Sequence, residues 1–585
     1  MHHGWSLTLA VILVAASLLA VGCNREPEAD VVFLTTSDGH NDLDPQRISW
    51  MHDIRVVDQM FEPLVRHDYA THEPEPGVAE RWTVSDDGLT YTFHLRDDAR
   101  WSNGDPVTAH DFIFAWRRAL LPDLAAEYSR MLYRIDGAEA FFNWRTDQLQ
   151  QYAQVREAAG SSGGDTAAAE QVSQLARDHF EQSVGLTAED DRTLVVRLAQ
   201  PVPYFLDLVA FVTFYPVHQA SVEQAMTLDA DSGMWRMDSA YWSDPDRVVS
   251  NGPYQLAGRQ FRQYLHMTAN PHYWNADAVR NDSILERIVS DPQNAMTVYR
   301  RGGADFWPGV PSGAMAAELM ADAGRTDVHT QTMAGTYFYN FNCLPQLPDG
   351  RPNPFADVRV RRAFAMAIDR EAIVQRVTRM NQPVAKSYIP PDAMPAYDPP
   401  VEHGVTFDPE RARELLAEAG YPGGEGLAGL SILYNTGAEH GDIAQAVRRM
   451  WEQHLGVTVA LEAIDSKAFS NRLQNQDFII ARASWFGDYP DPTSWLDRMI
   501  SDDGNNDARW SNAEYDALLR QAAQTADVDE RMALLRDAEA LILDEQPMTM
   551  LFQYEFVNLW DPDRLEGLEA NPWAKWSLEN VRVKQ

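Results

Sequence analysis

Ala481-Arg-Ala-Ser-Trp-Phe-Gly-Asp-Tyr-Pro-Asp-Pro-Thr-Ser-Trp495 is the stretch from which the rest of the chain is best read. Just before it, Phe478-Ile-Ile-Ala481 is an apolar run of the length of a buried strand. Gly487, Pro490 and Pro492 then break the strand with turn-forming residues. Between run and break lie one cation (Arg482), two aromatics (Trp485, Tyr489) and two carboxylates (Asp488, Asp491). An acid at a strand end, beside indole and phenol rings, is well placed to hold a ligand's ammonium group, and Asp488 is the candidate. An Asp before Tyr-Pro also commonly serves as a turn residue bonding its own backbone. The residues alone leave both readings open.

With 585 residues the chain exceeds a single core, and roughly two to four domains are expected. Hydrophobic content of 45% and aromatic content of 10% are globular values. The formal net charge of -37, from 86 acids against 49 bases, repels nucleic acid and anionic lipid, and no basic run offers a local exception. Such a surface suits a saline setting or solubility through like-charge repulsion equally well. The apolar run from Leu7 to Val21 is short for a membrane span and right for a signal peptide. It ends in Leu19-Ala-Val-Gly-Cys23, similar to the lipobox of bacterial lipoproteins, so residues 1–23 are expected to be a lipoprotein signal with Cys23 as the lipidation site. Met1 to Trp5 lacks the usual Lys or Arg, which keeps a plain secretory signal or an uncleaved anchor open. Residues 24–30 read as a polar tether. With Cys23 lipidated, Cys343 stands alone and no intramolecular disulfide is expected.

Along the chain, strand patterns alternate with helix patterns, which argues for α/β layers. Asp30 to Thr36 reads as a strand and Arg55 to Phe61 as a short helix. Leu89 to Leu95 alternates like a strand, and Thr108 is placed to cap a helix from Ala109 to Leu120. Asp357 is placed to cap a helix spanning Val358 to Arg379, with Phe364, Ala367, Ile368 and Val374 on its apolar side. Asp408-Pro409 is an N-cap followed by Pro at the first helical position, and Gly420 closes that helix. Asn143 to Gln182 reads as helical ends joined by a Gly/Ser-rich loop.

Catalytic motifs fail on context. Gly160-Ser-Ser-Gly-Gly164 matches G-x-S-x-G, but no strand precedes it as a nucleophile elbow requires. Gly420-Tyr-Pro-Gly-Gly-Glu-Gly426 lacks the Lys-Ser/Thr end of a phosphate loop. No H-E-x-x-H occurs and the 16 His residues are dispersed, so neither a metal nor a cofactor is expected, and the chain is not expected to be an enzyme.

Several segments together carry a resemblance. "PGVAERW…YTFHLRDDARWSNGDPVTAHDFIFAWRRAL" (Pro76 to Leu120), "NGPYQL…NPHYWN" (Asn251 to Asn275), "FADVRVRRAFAMAIDREAIVQRV" (Phe355 to Val377), "FDPERARELLAEAGYPGG" (Phe407 to Gly424), "LYNTG…H" (Leu433 to His440) and "ARASWFGDYPDPTSWL" (Ala481 to Leu496) resemble, in order, landmarks of the oligopeptide-binding family of extracytoplasmic solute-binding proteins, family 5. The resemblance implies an α/β, two-lobed periplasmic-binding-protein type II fold with an extra inserted α/β domain. It implies one lobe from 31–61, 203–335 and 556–585, an inserted domain at 62–202, and a second lobe at 336–555. The implied function is peptide capture between the lobes and delivery to the permease subunits of an ABC importer, by a monomer anchored through lipid at the extracytoplasmic face or in the periplasm.

The family's ammonium-binding acid corresponds to Asp488, and the backbone of Ser484, Trp485 and Phe486 would bond the peptide main chain. Family cations that meet the peptide carboxylate correspond to Arg482, His440 and Arg376. The sequence departs from the family at Phe486, where some members have cysteine, near Leu473, where a family Arg is displaced to Arg472, and at Ser49, where an acid is usual. Fold alone does not fix cargo. A dipeptide, nickel chelate, opine or oligosaccharide stays open as an alternative, and an exported hydrolase is the alternative of another class.

Overall fold

The computed structural model describes residues 26–37, 39–40, 42–68, 73–158, 165–310, 313–347, 349–394, 397–437, 439–501, 503–569 and 571–584. Cys23 and the Gly160–Gly164 segment lie outside the described residues. Among the described residues no helix is long and apolar enough to cross a membrane.

Leu430–Asn435 and Ile480–Phe486 run parallel, joined at Ile432 to Ile480 and Leu433 to Ala481. Parallel strands are stable only when helices cover both faces. On one face, Val358–Met366, Pro409–Glu418 and His440–Leu455 bury Phe364, Leu416, Val447 and Trp451. On the other, Ala513–Gln524 and Val528–Glu545 bury Tyr515, Leu535 and Ile542. The opposite end of the molecule repeats this logic, with Val31–Thr35 parallel to Ser283–Ile288 and to Phe306–Val310.

Two long antiparallel strands, Val328–Phe341 and Met548–Trp560, join the halves. The result is one ten-stranded sheet, in the order Tyr254–Gln260, Tyr264–Ala269, Ser283–Ile288, Val31–Thr35, Phe306–Val310, Met548–Trp560, Val328–Phe341, Ile480–Phe486, Leu430–Asn435, Val459–Ile464. The register between the joining strands slips between Thr332 and Thr336, at the middle of the sheet.

A separate four-stranded antiparallel sheet, Ala79–Val84, Thr90–Leu95, Thr193–Arg197 and Leu186–Asp190, carries the helices Ala109–Leu120, Ala138–Ala158 and Thr166–Ser183. Its apolar residues merge with those of the first half: Phe93, Phe112 and Trp116 share one core with Phe33, Val57 and Phe214. This is the expected α/β architecture with an inserted α/β unit.

Local expectations hold at the caps. Thr108 and Asp111 form a reciprocal capping box, and Asp408 accepts from the Arg411 N–H. The short helix near Arg55 begins earlier, at Met51. The long helix expected from Val358 to Arg379 is interrupted. Its first piece stops at Met366, Asp369 caps a new start, and Ile373–Val377 winds as a π-turn. The cause is Arg370, whose buried guanidinium takes the Ala365 and Ile368 carbonyls freed at the break, together with the Met550 carbonyl. Periodicity hid the break because Phe364, Ala367, Ile368 and Val374 are all buried across it.

Candidate functional site

The strand Ile480–Phe486 has one side filled and one side open. Val328–Phe341 pairs with it along its whole length, from Phe341 opposite Ile480 to Gly335 opposite Phe486. The Asn342 N–H donates to the Ile479 carbonyl at 3.1 Å and the Gly487 N–H to the Ala334 carbonyl at 2.8 Å. Alternation between these two bonds turns the backbone groups of residues 481, 483 and 485 toward that neighbour. Those of Arg482, Ser484 and Phe486 therefore face the opposite edge, where the ladder with Leu430–Asn435 ends at Ala481. The expectation that Ser484, Trp485 and Phe486 all offer backbone groups is thus corrected at Trp485. Its side chain is structural too, with Nε1 donating to the Ser494 carbonyl at 2.7 Å and Arg498 stacked over the ring.

Beyond the strand, Gly487 lies flat under Trp495, where a Cβ would come within 2.1 Å of the indole. That contact fixes the turn presenting Asp488. The Asp488 N–H donates to Ser494 Oγ at 2.8 Å, and its Oδ1 accepts from the Tyr128 hydroxyl at 3.1 Å. Among the described residues no cation pairs with this carboxylate, and burial pushes it up to about 7. It lines a pocket with Asp58, Phe61, Asp207, Phe211 and Trp573. The turn reading of a carboxylate here applies instead to Asp491, which accepts from the Thr493 N–H and hydroxyl and forms a two-pronged ion pair with Arg531 at 2.7 and 2.8 Å.

Arg482 does not pair with Asp488. Its Nη2 donates to the Tyr554 hydroxyl at 2.8 Å and Ser484 Oγ at 3.2 Å, its Nη1 reaches Asn435 Oδ1 at 3.4 Å, and its Nε is buried with no partner. Among the described residues it has no carboxylate, although the guanidinium is stacked 5.0 Å over Tyr337. His440 opens its helix beside it, with Nδ1 3.3 Å from the Tyr337 hydroxyl. Burial and the Arg482 charge push the imidazole down to about 3. His440 is therefore neutral at neutral pH, contrary to the expectation of a cation there. Arg376 is exposed on the π-turn that packs against the His440 helix. Phe486, where some members of the family have cysteine, packs on Gly335, Tyr554 and Phe556. Arg472 is bound to Glu462 at 2.7 Å and Asp477 at 2.9 Å. Cys343 carries a thiol pushed up to about 11 by burial, an unreactive state.

Sequence reasoning missed Tyr128, Tyr337 and Tyr554, the three phenols that face the two charges. No local pattern marks them, since each lies on a different element from the charge it meets. The same turn also ties the halves together: Tyr489 stacks on Tyr204 with ring centroids 5.1 Å apart, and Arg134 pairs with Asp497 at 2.7 Å.

Comparison with known proteins gives a consistent picture. The family model for bacterial extracellular solute-binding proteins, family 5 (middle), matches residues 73–507. The oligopeptide-binding protein OppA of Bacillus subtilis is 32% identical over 520 residues, covering 88% of this chain and 85% of its own. The periplasmic oligopeptide-binding protein OppA of Salmonella typhimurium is 31% identical over 554 residues, covering 93% and 89%. Among solved structures, the murein tripeptide binding protein MppA of Escherichia coli superposes with a TM-score of 0.73 at 28% identity, over 95% of this chain and 99% of that one. Haemophilus influenzae OppA in complex with RPPGFSPFR gives a TM-score of 0.72 at 26% identity, over 96% and 100%. These neighbours are two-lobed periplasmic binding proteins, which fixes the fold class. The chain belongs to family 5 of the bacterial extracellular solute-binding proteins.

Proposed function

We propose that this protein is the substrate-binding component of a peptide ABC importer, capturing oligopeptides between two lobes and delivering them to the permease. The observation that carries this reading is the pairing of two incompletely matched charges with an open strand edge. Among the described residues, the Asp488 carboxylate meets a neutral phenol and no cation, the Arg482 guanidinium meets hydroxyls, an amide and the Tyr337 ring but no carboxylate, and the backbone of Ser484 and Phe486 faces outward between them. Arg482 lies within the strand and Asp488 on the turn just beyond its end, so the two charges bracket the open edge and could meet the two ends of a short peptide laid along it. The ammonium would sit on Asp488, the main chain would add to the edge of Ser484 and Phe486, and the carboxylate would meet Arg482 or, as a neutral donor, His440. Arg376 remains a candidate for longer peptides.

The lobes of this reading are 31–61 with 203–335 and 556–585, and 336–555, with 62–202 inserted. They close about the two joining strands near the register slip at Thr332–Thr336. Lipid on Cys23 would hold the protein at the extracytoplasmic face. The relatives' names support peptides as cargo: oligopeptides for OppA, a murein tripeptide for MppA. Titrating the purified protein with a free tripeptide and its N-acetylated form tests the assignment. Acetylation is expected to abolish binding, and equal affinity for both would remove Asp488 from the role.

A further inference from the structure

The loop after the first strand holds a second convergence of side chains, away from the Ser484–Asp488 edge. His40 is fully buried between two acids: its Nδ1 lies 2.7 Å from Asp53 Oδ1, and its Nε2 contacts Glu286 Oε2. His52, in the first turn of the helix Met51–Met60, places Nε2 at 3.6 Å from the same Asp53 oxygen, with the two imidazole rings 5.5 Å apart. One nitrogen of each His and one Asp53 oxygen all fall within 4.8 Å of one another.

We infer that His40, His52 and Asp53 form a binding site for one divalent ion of borderline softness, of the Zn²⁺ or Co²⁺ type, with Glu286 orienting His40 from behind. Donor chemistry sets the class of ion. Two imidazoles and one carboxylate suit zinc and its neighbours, while magnesium and calcium take oxygen ligands. Geometry agrees in magnitude. Ligand atoms around a tetrahedral ion with bonds of about 2.0 Å stand roughly 3.3 Å apart. The His40–Asp53 contact at 2.7 Å would open by about half an ångström, the His52–Asp53 contact at 3.6 Å would close slightly, and the two imidazole nitrogens, within 4.8 Å of each other, would close by up to about 1.5 Å through rotation of the partly exposed His52.

The second shell is in place as well. A metal-bound imidazole generally gives its other N–H to a carboxylate, and Glu286 occupies that position on Nε2, leaving Nδ1 for the ion. Arg259 donates to the His40 carbonyl, which holds the loop from outside. Coordination at Nδ1 replaces the proton lying between His40 and Asp53, and that proton leaves to solvent. His52 is 27% exposed on its side chain and supplies the route of entry. Three protein ligands leave one position for water, so exchange is expected to be fast. The helix that carries His52 and Asp53 in its first turn carries Asp58 in its last, and Asp58 lines the pocket that contains Asp488. Filling the site would pin that helix to the strand Ser283–Ile288.

The test is equilibrium dialysis of the chelator-treated full chain against Zn²⁺ and, separately, Co²⁺, with bound metal quantified. One equivalent is expected at micromolar free ion. His52→Ala and Asp53→Asn should each weaken it by roughly a hundredfold, and Glu286→Gln by between about 10- and 100-fold. His52 is partly exposed, so its variant is expected to fold, and an unchanged circular dichroism spectrum checks this. Absence of binding at micromolar ion overturns the site, and so does an equivalent retained unchanged in both His52→Ala and Asp53→Asn, which would place the ion on other histidines.

Discussion

Asp488 and Asp491 stand three residues apart on the same turn, and the fold treats them in opposite ways. Asp491 is enclosed by two hydroxyl and amide donors and both prongs of Arg531, which lies on the helix Val528–Glu545. Asp488 receives one phenol and one indirect tether through its own N–H, and faces a pocket. A buried charge with a full set of partners holds structure together. One left with neutral partners costs stability until a ligand arrives with the opposite sign. The same contrast separates Arg531 from Arg482.

The comparison breaks most directly at Asp488. Replacing it by Ala leaves a peptide ammonium buried without a partner, a loss of roughly 3–5 kcal/mol. Calorimetric titration should therefore show affinity falling by a factor on the order of hundreds or more. The mirror experiment is Arg531→Met, which strands Asp491. Denaturant unfolding should show a comparable loss of about 3–5 kcal/mol of stability, with peptide affinity in the folded fraction much less affected. If the two variants exchange these effects, Asp491 and not Asp488 holds the ligand.

Acidity sharpens the contrast. Burial holds the Asp488 carboxyl near 7, so in the empty protein it is protonated below that pH and must ionise to hold an ammonium. Affinity for a free-amino peptide should fall as pH drops from 7.5 to 5, by up to about a hundredfold, one decade per pH unit below the midpoint. The sign for stability is the reverse. A carboxyl raised above its unfolded value loses stability as pH rises through the interval up to 7, so Asp488→Asn should raise the melting temperature at pH 7.5 while weakening binding. The smallest effect belongs to Tyr128→Phe. Loss of the hydroxyl removes the bond that favours the ionised carboxylate, and should shift the pH midpoint of binding upward with a few-fold loss of affinity at pH 7.

The sequence disclosed what is local. Thr108, Asp408 and the break after Phe486 are legible because caps and turns depend on neighbours a few residues away. Asp488 and Arg482 stood out as charges flanking an apolar run, but their partners did not, because Tyr128 is 360 positions away in sequence and Tyr554 is 72. His440 was readable as a candidate, yet its charge state depends on burial and on Arg482, which arrives from another strand. The interruption at Ala367–Asp369 was invisible for the same reason: its cause is the Arg370 guanidinium, held in part by the Met550 carbonyl and the Thr549 hydroxyl of the distant strand Met548–Trp560.

The stacked pair Tyr204–Tyr489, together with Arg134–Asp497, is made entirely by the protein. Contacts of that kind favour the shut shape whether or not cargo is inside. On the proposed lobe division, the receptor would visit the shut shape without cargo, and a permease that recognised outline alone would cycle without freight. Discrimination would then rest on dwell time, since a bound peptide would add two further points of attachment and prolong the stay.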